Sequence, residues 1–233
     1  MTRVAFTRAL RQMVTAGRKP AWFGDLRRTQ PISRLFGFDR GTPIDRYYIE
    51  RFLGSHAGDV RGDVLEVGDD GYTRRFGAGG VRRSDVLDAA AGTGVSIVGD
   101  LATGRGVPAT AYDCFIATQT FTHIFDVQGA VRHARRALKP GGVLLASVPG
   151  ISQISRYDMD RWGDFWRFTT RSVEQLFAPL VAPADLTVTP HGNVLAAAAF
   201  LYGLAAEELT PAELDARDDD YQVVITVRAV AAR

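Results

Sequence analysis

The run Arg61-Gly-Asp-Val-Leu-Glu-Val-Gly68-Asp-Asp-Gly71-Tyr-Thr constrains the fold more than any other stretch of the chain. Val64-Leu-Glu-Val reads as a short buried strand that stops at a glycine-containing turn, and a helix is predicted to start near Tyr72. A strand, a glycine turn and a helix N-terminus make a site for a nucleoside-bearing ligand. Backbone approaches the ligand closely there, and free N–H groups point at it. Glu66, Gly68 and Gly71 are the residues of this turn placed to serve it. Asp85 follows about one strand–helix unit later, where a carboxylate can take two ribose hydroxyls, with Asp88 as a near neighbour that can replace it. Asp100 closes a third apolar strand, Ser96-Ile-Val-Gly-Asp, and reads as the adenine acceptor.

Alternation continues to the C-terminus. Strands are expected near 63–67, 82–86, 95–99, 112–118, 142–148, 185–190 and 221–230. Helical segments are expected near 72–77, 126–138, 171–180 and 193–208. Strands separated by helices predict a Rossmann-like, seven-stranded, mostly parallel α/β sheet covered on both faces. The last two strands fit an edge pair, one of them antiparallel. Residues 1–55 read as a helical cap, with Phe6, Leu10, Met13 and Val14 at helical spacing and a second helix from Thr42-Pro-Ile-Asp through Leu53. Residues 60–148 form the cofactor-binding half, 149–180 a substrate-side insert, and 181–233 the C-terminal helix and edge strands, all within one domain.

Composition excludes more than it assigns. A net charge of +2 on 233 residues demands neither nucleic acid nor an acidic membrane, although residues 1–40 alone carry nine Arg/Lys against two Asp. A single cysteine, Cys114, excludes an internal disulfide and a thiol metal cluster, and its apolar surroundings read as core. No carboxylate cluster suggests a metal. The longest apolar stretch, Val194 to Ala206, is too short to span a bilayer. A cytoplasmic protein is expected; a homodimer is compatible with the sequence and not required by it.

Glu66-Val-Gly68, Asp85, Asp100-Leu101, the strand Tyr112-Asp-Cys-Phe-Ile-Ala-Thr-Gln-Thr and the turn Leu138-Lys-Pro-Gly-Gly142 occur in an order that resembles class I S-adenosylmethionine-dependent methyltransferases. A narrower resemblance, from about Phe23 onward, is to bacterial methyltransferases of the type 11-like group found with, or fused to, glycosyltransferases. It is carried by Gly41-Thr-Pro-Ile-Asp-Arg-Tyr-Tyr-Ile-Glu-Arg-Phe, Gly68-Asp-Asp-Gly-Tyr-Thr-Arg-Arg-Phe-Gly and Val148-Pro-Gly-Ile-Ser-Gln-Ile-Ser-Arg-Tyr-Asp-Met-Asp-Arg-Trp-Gly-Asp. The first motif departs from acidic-x-Gly-x-Gly-x-Gly: Asp70 and Tyr72 hold the second and third glycine positions.

The resemblance implies S-adenosylmethionine as methyl donor and S-adenosylhomocysteine as product. It implies donor contacts from Glu66, Gly68, Asp70, Gly71, Asp85 and Asp100, with Leu101 on the adenine ring. Gln119 and Thr120, at the tip of the fourth strand, would face the sulfonium and the acceptor. Arg46 and Tyr47 would reach the donor carboxylate. His123 is the expected proton acceptor, since imidazole is the side chain that titrates near neutral pH. In the insert, Tyr157, Trp162 and Trp166 beside Asp158 and Asp164 suit a sugar, above all a cationic amino sugar. Asp158 and Asp164 would receive the proton of an amine, and His191 adds a further acceptor-side candidate. The expected reaction is N- or O-methylation of a saccharide, with an amino sugar of an aminoglycoside-like antibiotic favoured. Two alternatives use the same sheet. A nicotinamide-dependent sugar oxidoreductase or epimerase lacks support, because Gly-x-Gly-x-x-Gly and a Tyr-x-x-x-Lys pair are both missing. A non-catalytic partner of a glycosyltransferase would account for the altered glycine motif.

Overall fold

The structure, a computed structural model, describes residues 24–232. The chain divides into two compact units, Met1–Pro31 and Ile32–Arg233. Of the first, a 3-10 turn over Gly24–Arg27 is described; the helix expected around Phe6 to Val14 lies outside the described residues. All that follows concerns the second unit.

Seven strands form one sheet: β1 (Gly62–Val67), β2 (Val81–Asp88), β3 (Ile97–Val98), β4 (Tyr112–Thr118), β5 (Leu138–Pro149), β6 (Leu186–His191) and β7 (Val224–Val230), in the order β3-β2-β1-β4-β5-β7-β6. β7 runs antiparallel to both its neighbours, and every other pair is parallel. The Rossmann-like, mostly parallel sheet is therefore present, with β6 at the edge and β7 inside it. The order reverses between β1 and β4, so the crevice at a topological switch point lies over the carboxyl tips of these two strands.

Helices cover both faces. α1 (Ile44–Ser55) begins after Pro43 and buries Ile44, Tyr48, Ile49, Phe52 and Leu53, the one-faced spacing of an amphipathic helix. α2 (Gly71–Phe76) follows β1. α3 (Val127–Ala137) is capped by Asp126, whose carboxylate accepts from Gly129 N–H, and it seals one face with Ala130, Val131, Ala134 and Ala137. α4 (Arg156–Met159) lies in the insert. α5 (Thr170–Phe177) opens on a reciprocal Thr169–Ser172 capping box. α6 (Val194–Tyr202) is capped by Asn193 and stops at Gly203 in the left-handed region; α7 is Pro211–Asp215. One apolar layer centres on Leu65, Phe115 and Leu144, the other on Val64, Cys114, Ile116 and Leu145. Alternate residues of the same central strands thus fill opposite layers.

Boundaries differ from expectation at several elements. β3 shrinks to two residues, because the chain folds back on itself at once: Asp100 N–H bonds to Arg105 O, and Gly104 N–H to Asp100 O. Leu138-Lys-Pro-Gly-Gly142, expected as a turn, is the irregular start of β5, where pairing jumps from Tyr112↔Leu138 to Cys114↔Val143. The last long helix ends at Tyr202 rather than 208, since Gly203 terminates it. β7 starts at Val224 rather than 221.

Candidate active site

The carboxyl edge opens into a cavity of about 640 Å³, the size of a small-molecule site. Its lining comes from a turn (Arg34, Leu35, Phe36, Phe38), the first turn of α1 (Asp45, Arg46), the tip of β4 (Gln119), Thr122 and His123, and the insert from Pro149 through Asp158 with Asp164 and Arg167.

His123 is the best-defined group in it. Its Nδ1 lies 2.8 Å from the Gly163 carbonyl oxygen. A carbonyl only accepts, so Nδ1 carries the hydrogen, and in the neutral ring Nε2 keeps a free lone pair. Nε2 stands 3.9 Å from Asp158 Oδ2, and that oxygen also accepts from Ser155 Oγ at 2.6 Å. A lone pair and a carboxylate thus face one cavity side by side.

Asp164, expected to work with Asp158, is committed elsewhere. Its carboxylate takes Arg167 Nη1 at 2.5 Å and Nη2 at 2.9 Å, Ser155 N–H at 3.0 Å and Thr122 Oγ1 at 3.3 Å. Its side chain is only 2% exposed, and Arg167 foremost among its partners holds it below the usual carboxylate range against the opposing cost of burial. It clamps the insert, with its oxygens already taken by these donors. Neither Trp162 nor Trp166 lines the cavity. Trp166 donates Nε1–H to Ile124 O and stacks on Phe125, while Trp162 lies half-exposed outside it. Tyr157 does line it, with Arg161 over its ring. His191 belongs to a separate cavity of about 530 Å³ with Tyr48, Arg51 and Arg217. It bonds Thr226 Oγ1 at 2.9 Å, and burial lowers its pKa to about 4.

On the donor side, Gly68 has φ +88, and nothing lies within 4 Å of where a Cβ would sit. Backbone is bare there, as a closely approaching ligand requires. The free N–H groups expected at the helix start are already taken: Glu66 is buried and accepts from Tyr72 N–H at 3.1 Å and from Thr73 N–H and Oγ1 at 2.7 Å each. Asp69 takes Gly71 N–H, and Asp70 pairs with Arg74 at 2.7 Å. Asp85 sits inside β2, not at its tip. It accepts from the Tyr112 hydroxyl at 3.0 Å and pairs with Arg83 at 3.3 Å, so Asp88 is the acid at the strand end. Asp100 caps its own turn, accepting from Ala102 N–H and Thr103 Oγ1, and Leu101 is buried in the core.

Arg46 lines the cavity and donates to the Tyr72 hydroxyl at 3.1 Å; Tyr47 turns away, bonding Asp215 and Arg51. Thr120 donates to the Thr118 carbonyl and does not line the cavity. Gln119 has φ +51, and its buried Oε1 has no partner. Strain and an unpaired polar atom at a strand tip mark a place built for something other than stability. Opposite it, Asp45 has its pKa raised by burial, offset in part by Arg46. Asp45, Arg167 and the Phe36 turn were missed in the sequence. Asp45 reads there only as part of the helix start Thr42-Pro-Ile-Asp, and the local signal available for the turn is Gly37.

A family profile described as a methyltransferase domain matches residues 48–179. The chain belongs to the methyltransferase domain family. No curated protein matches it. Among solved structures, the N-methyltransferase NodS of Bradyrhizobium japonicum, in complex with S-adenosyl-L-homocysteine, is similar at 13% identity. That match covers 87% of this chain and 95% of NodS with a TM-score of 0.51. Phosphoethanolamine N-methyltransferase 2 of Haemonchus contortus, with S-adenosyl-L-methionine, is similar at 14% identity, 80% and 53% coverage and a TM-score of 0.51. The [4+2]-cyclase SpnF is similar at 16% identity, 83% of both chains and a TM-score of 0.51. At such identities the likeness is one of fold. Among the described residues, no group of acids, histidines and cysteine is arranged to hold a metal, and no helix is long and apolar enough to cross a membrane.

Proposed function

We propose that this methyltransferase domain uses S-adenosylmethionine to methylate an amine or hydroxyl of a saccharide, with an amino sugar of an aminoglycoside-like natural product as the favoured acceptor. The bound donor supplies an activated methyl carbon and leaves as S-adenosylhomocysteine. The bare backbone at Gly68 and the acid at the tip of β2 fit such a donor, so Asp88 replaces Asp85 as the residue for the ribose. Arg46, in the first turn of α1, suits the donor carboxylate, and Gln119 lies where donor and acceptor meet.

One observation carries the reading of the acceptor side: the His123 Nε2 lone pair, fixed by the Nδ1–Gly163 bond, stands beside Asp158 in the cavity. A hydroxyl placed there loses its proton to Nε2 as it attacks, and Asp158 stabilises the imidazolium that results. An ammonium bound at Asp158 first gives a proton to His123 Nε2, attacks as the neutral amine, and leaves as the methylated ammonium. The protein's chief work is to hold the nucleophile in line with the methyl carbon and to exclude water. The exposed Tyr157 ring beside Asp158 supports a sugar.

Thermal-shift titration with S-adenosylmethionine, S-adenosylhomocysteine and NAD tests the donor. A mass-spectrometric screen of amino and neutral glycosides tests the acceptor. Methylation of phenols or nucleic acid with no saccharide product would refute the proposal.

A further inference from the structure

We infer that the acceptor is amphipathic: a glycoside whose sugar meets His123 and Asp158 while an alkyl or aryl aglycone lies against Leu35, Phe36, Phe38 and Ile154. The inference rests on the saccharide reading above and narrows it. Leu35 and Phe38 are 60% and 61% exposed, and both line the cavity. They are not loose. Ser33 Oγ donates to Asp39 at 2.5 Å and accepts from Leu35 N–H at 3.0 Å, Phe38 N–H bonds Leu35 O at 2.9 Å, and Gly41 N–H bonds Gly37 O at 3.0 Å.

The turn is also strained. Phe36 has φ +58, where a bulky residue is an outlier. Gly37 has φ +90, and a Cβ there would press to 2.7 Å from the Leu204 carbonyl. The Phe36 ring reaches Phe200, with centroids 5.9 Å apart, which anchors the turn to α6. A strained, hydrogen-bonded turn that leaves two large apolar side chains exposed is a binding surface. The exposed Ile154 lines the same cavity. Gln153 Nε2 donates to Arg34 O at 3.0 Å and straps the insert to the turn. Leu35, Phe36, Phe38 and Ile154 thus line one cavity with His123 and Asp158, and the exposed Arg34 and Arg156 line it as well. A cavity of about 640 Å³ fits a small molecule rather than the face of a protein.

The test compares methyl, butyl, octyl and phenyl glycosides of one amino sugar as acceptors, with S-adenosylmethionine and the full chain, reading kcat/KM by mass spectrometry. The expected gain is about fourfold for each methylene that enters the wall. The octyl-to-methyl ratio in Leu35→Ser and Phe38→Ser falls toward one, with S-adenosylhomocysteine binding as the check that each variant is folded. A gain confined to the phenyl glycoside assigns an aryl arm, and one that grows along the alkyl series assigns a chain. Methylation of all four glycosides at equal kcat/KM overturns the inference and leaves the saccharide reading standing. Donor binding with no glycoside methylated overturns both.

Discussion

Replacing Asp164 with Asn tests whether the insert positions His123. The carboxylate is 2% exposed and its partner Arg167 is 29% exposed. Removing one member of a buried pair costs about 3–5 kcal/mol. Arg167 keeps bonds to Gln153 O, Ser152 O and Trp166 O and retains some water, so we place the loss nearer 2–3 kcal/mol. For a domain of this size that is a fall in Tm of about 4–12 °C. Gly163, the residue before Asp164, supplies the carbonyl that sets the His123 tautomer, so kcat falls as well, by about tenfold or more for one misoriented base. The pH dependence has a definite sign. The folded pKa of Asp164 is lowered, so its contribution is complete above the ordinary aspartate value. It fades as pH drops through the lower folded value. The acid limb of a Tm-versus-pH curve is therefore shallower in Asp164→Asn than in the parent. Scanning calorimetry from pH 2 to 8, with steady-state kinetics at pH 7, measures both effects. A Tm within 1 °C of the parent together with unchanged kcat refutes the argument, because it means the clamp neither holds the insert nor aims the imidazole.

The other expectations are briefer. Asp88→Ala weakens S-adenosylhomocysteine binding by about tenfold or more in calorimetric titration, whereas Asp85→Ala leaves that affinity in place and lowers Tm, since it frees the Tyr112 hydroxyl and Arg83. His123→Gln keeps donor binding and reduces kcat by about 10²–10⁴-fold; equal kcat would remove His123 from the chemistry. Gly68→Val abolishes donor binding, because it fills the bare approach and adds a side chain at φ +88; retained binding places the donor elsewhere. His191, lowered from 6.5 to about 4 by burial, is neutral in the fold, so the unfolded chain gains a proton first. Stability present above pH 6.5 is lost as pH falls toward 4, by up to roughly 3 kcal/mol. His191→Asn should remove that portion of the acid limb in chemical-denaturation curves.

The parts of the fold that the sequence shows are those where one periodic signal decides the outcome. Val64-Leu-Glu-Val and Tyr112 to Thr118 are buried on both faces, and only a central parallel strand fits such a run. The amphipathic face of α1 is equally legible, because Ile44, Tyr48, Ile49, Phe52 and Leu53 share one side. The site is less so, since its roles turn on a few ångströms and on partners far away in the chain. Asp85 and Asp88 are indistinguishable by spacing to the preceding glycine turn. They differ because a strand tip is a matter of register: β1 ends at Val67 opposite Leu87, which leaves Asp88 one step beyond and Asp85 two steps inside. Glu66 reads as a ligand group because it sits at the glycine turn that closes the first strand. It is buried because α2 starts within reach and its N–H groups need an acceptor.

The insert shows the same limit more sharply. Asp158, Asp160 and Asp164 look alike in sequence. Asp164 is neutralised by Arg167 three residues on, a spacing that any helix or turn allows, and by Ser155 and Thr122, which no local pattern connects to it. Trp162 and Trp166 carry the aromatic signal in the sequence, yet the rings that line the cavity with His123 and Asp158 are Tyr157 from the insert and Phe36 and Phe38 from a turn more than a hundred residues before it. The bond from Gln153 to the Arg34 carbonyl brings those segments together. The cavity proposed for the acceptor is thus lined by two elements outside the regular strand–helix alternation. Exchanging either the 33–41 turn or the 150–168 insert for that of another family member should change acceptor preference while donor affinity stays, because Gly68 and Asp88 belong to neither.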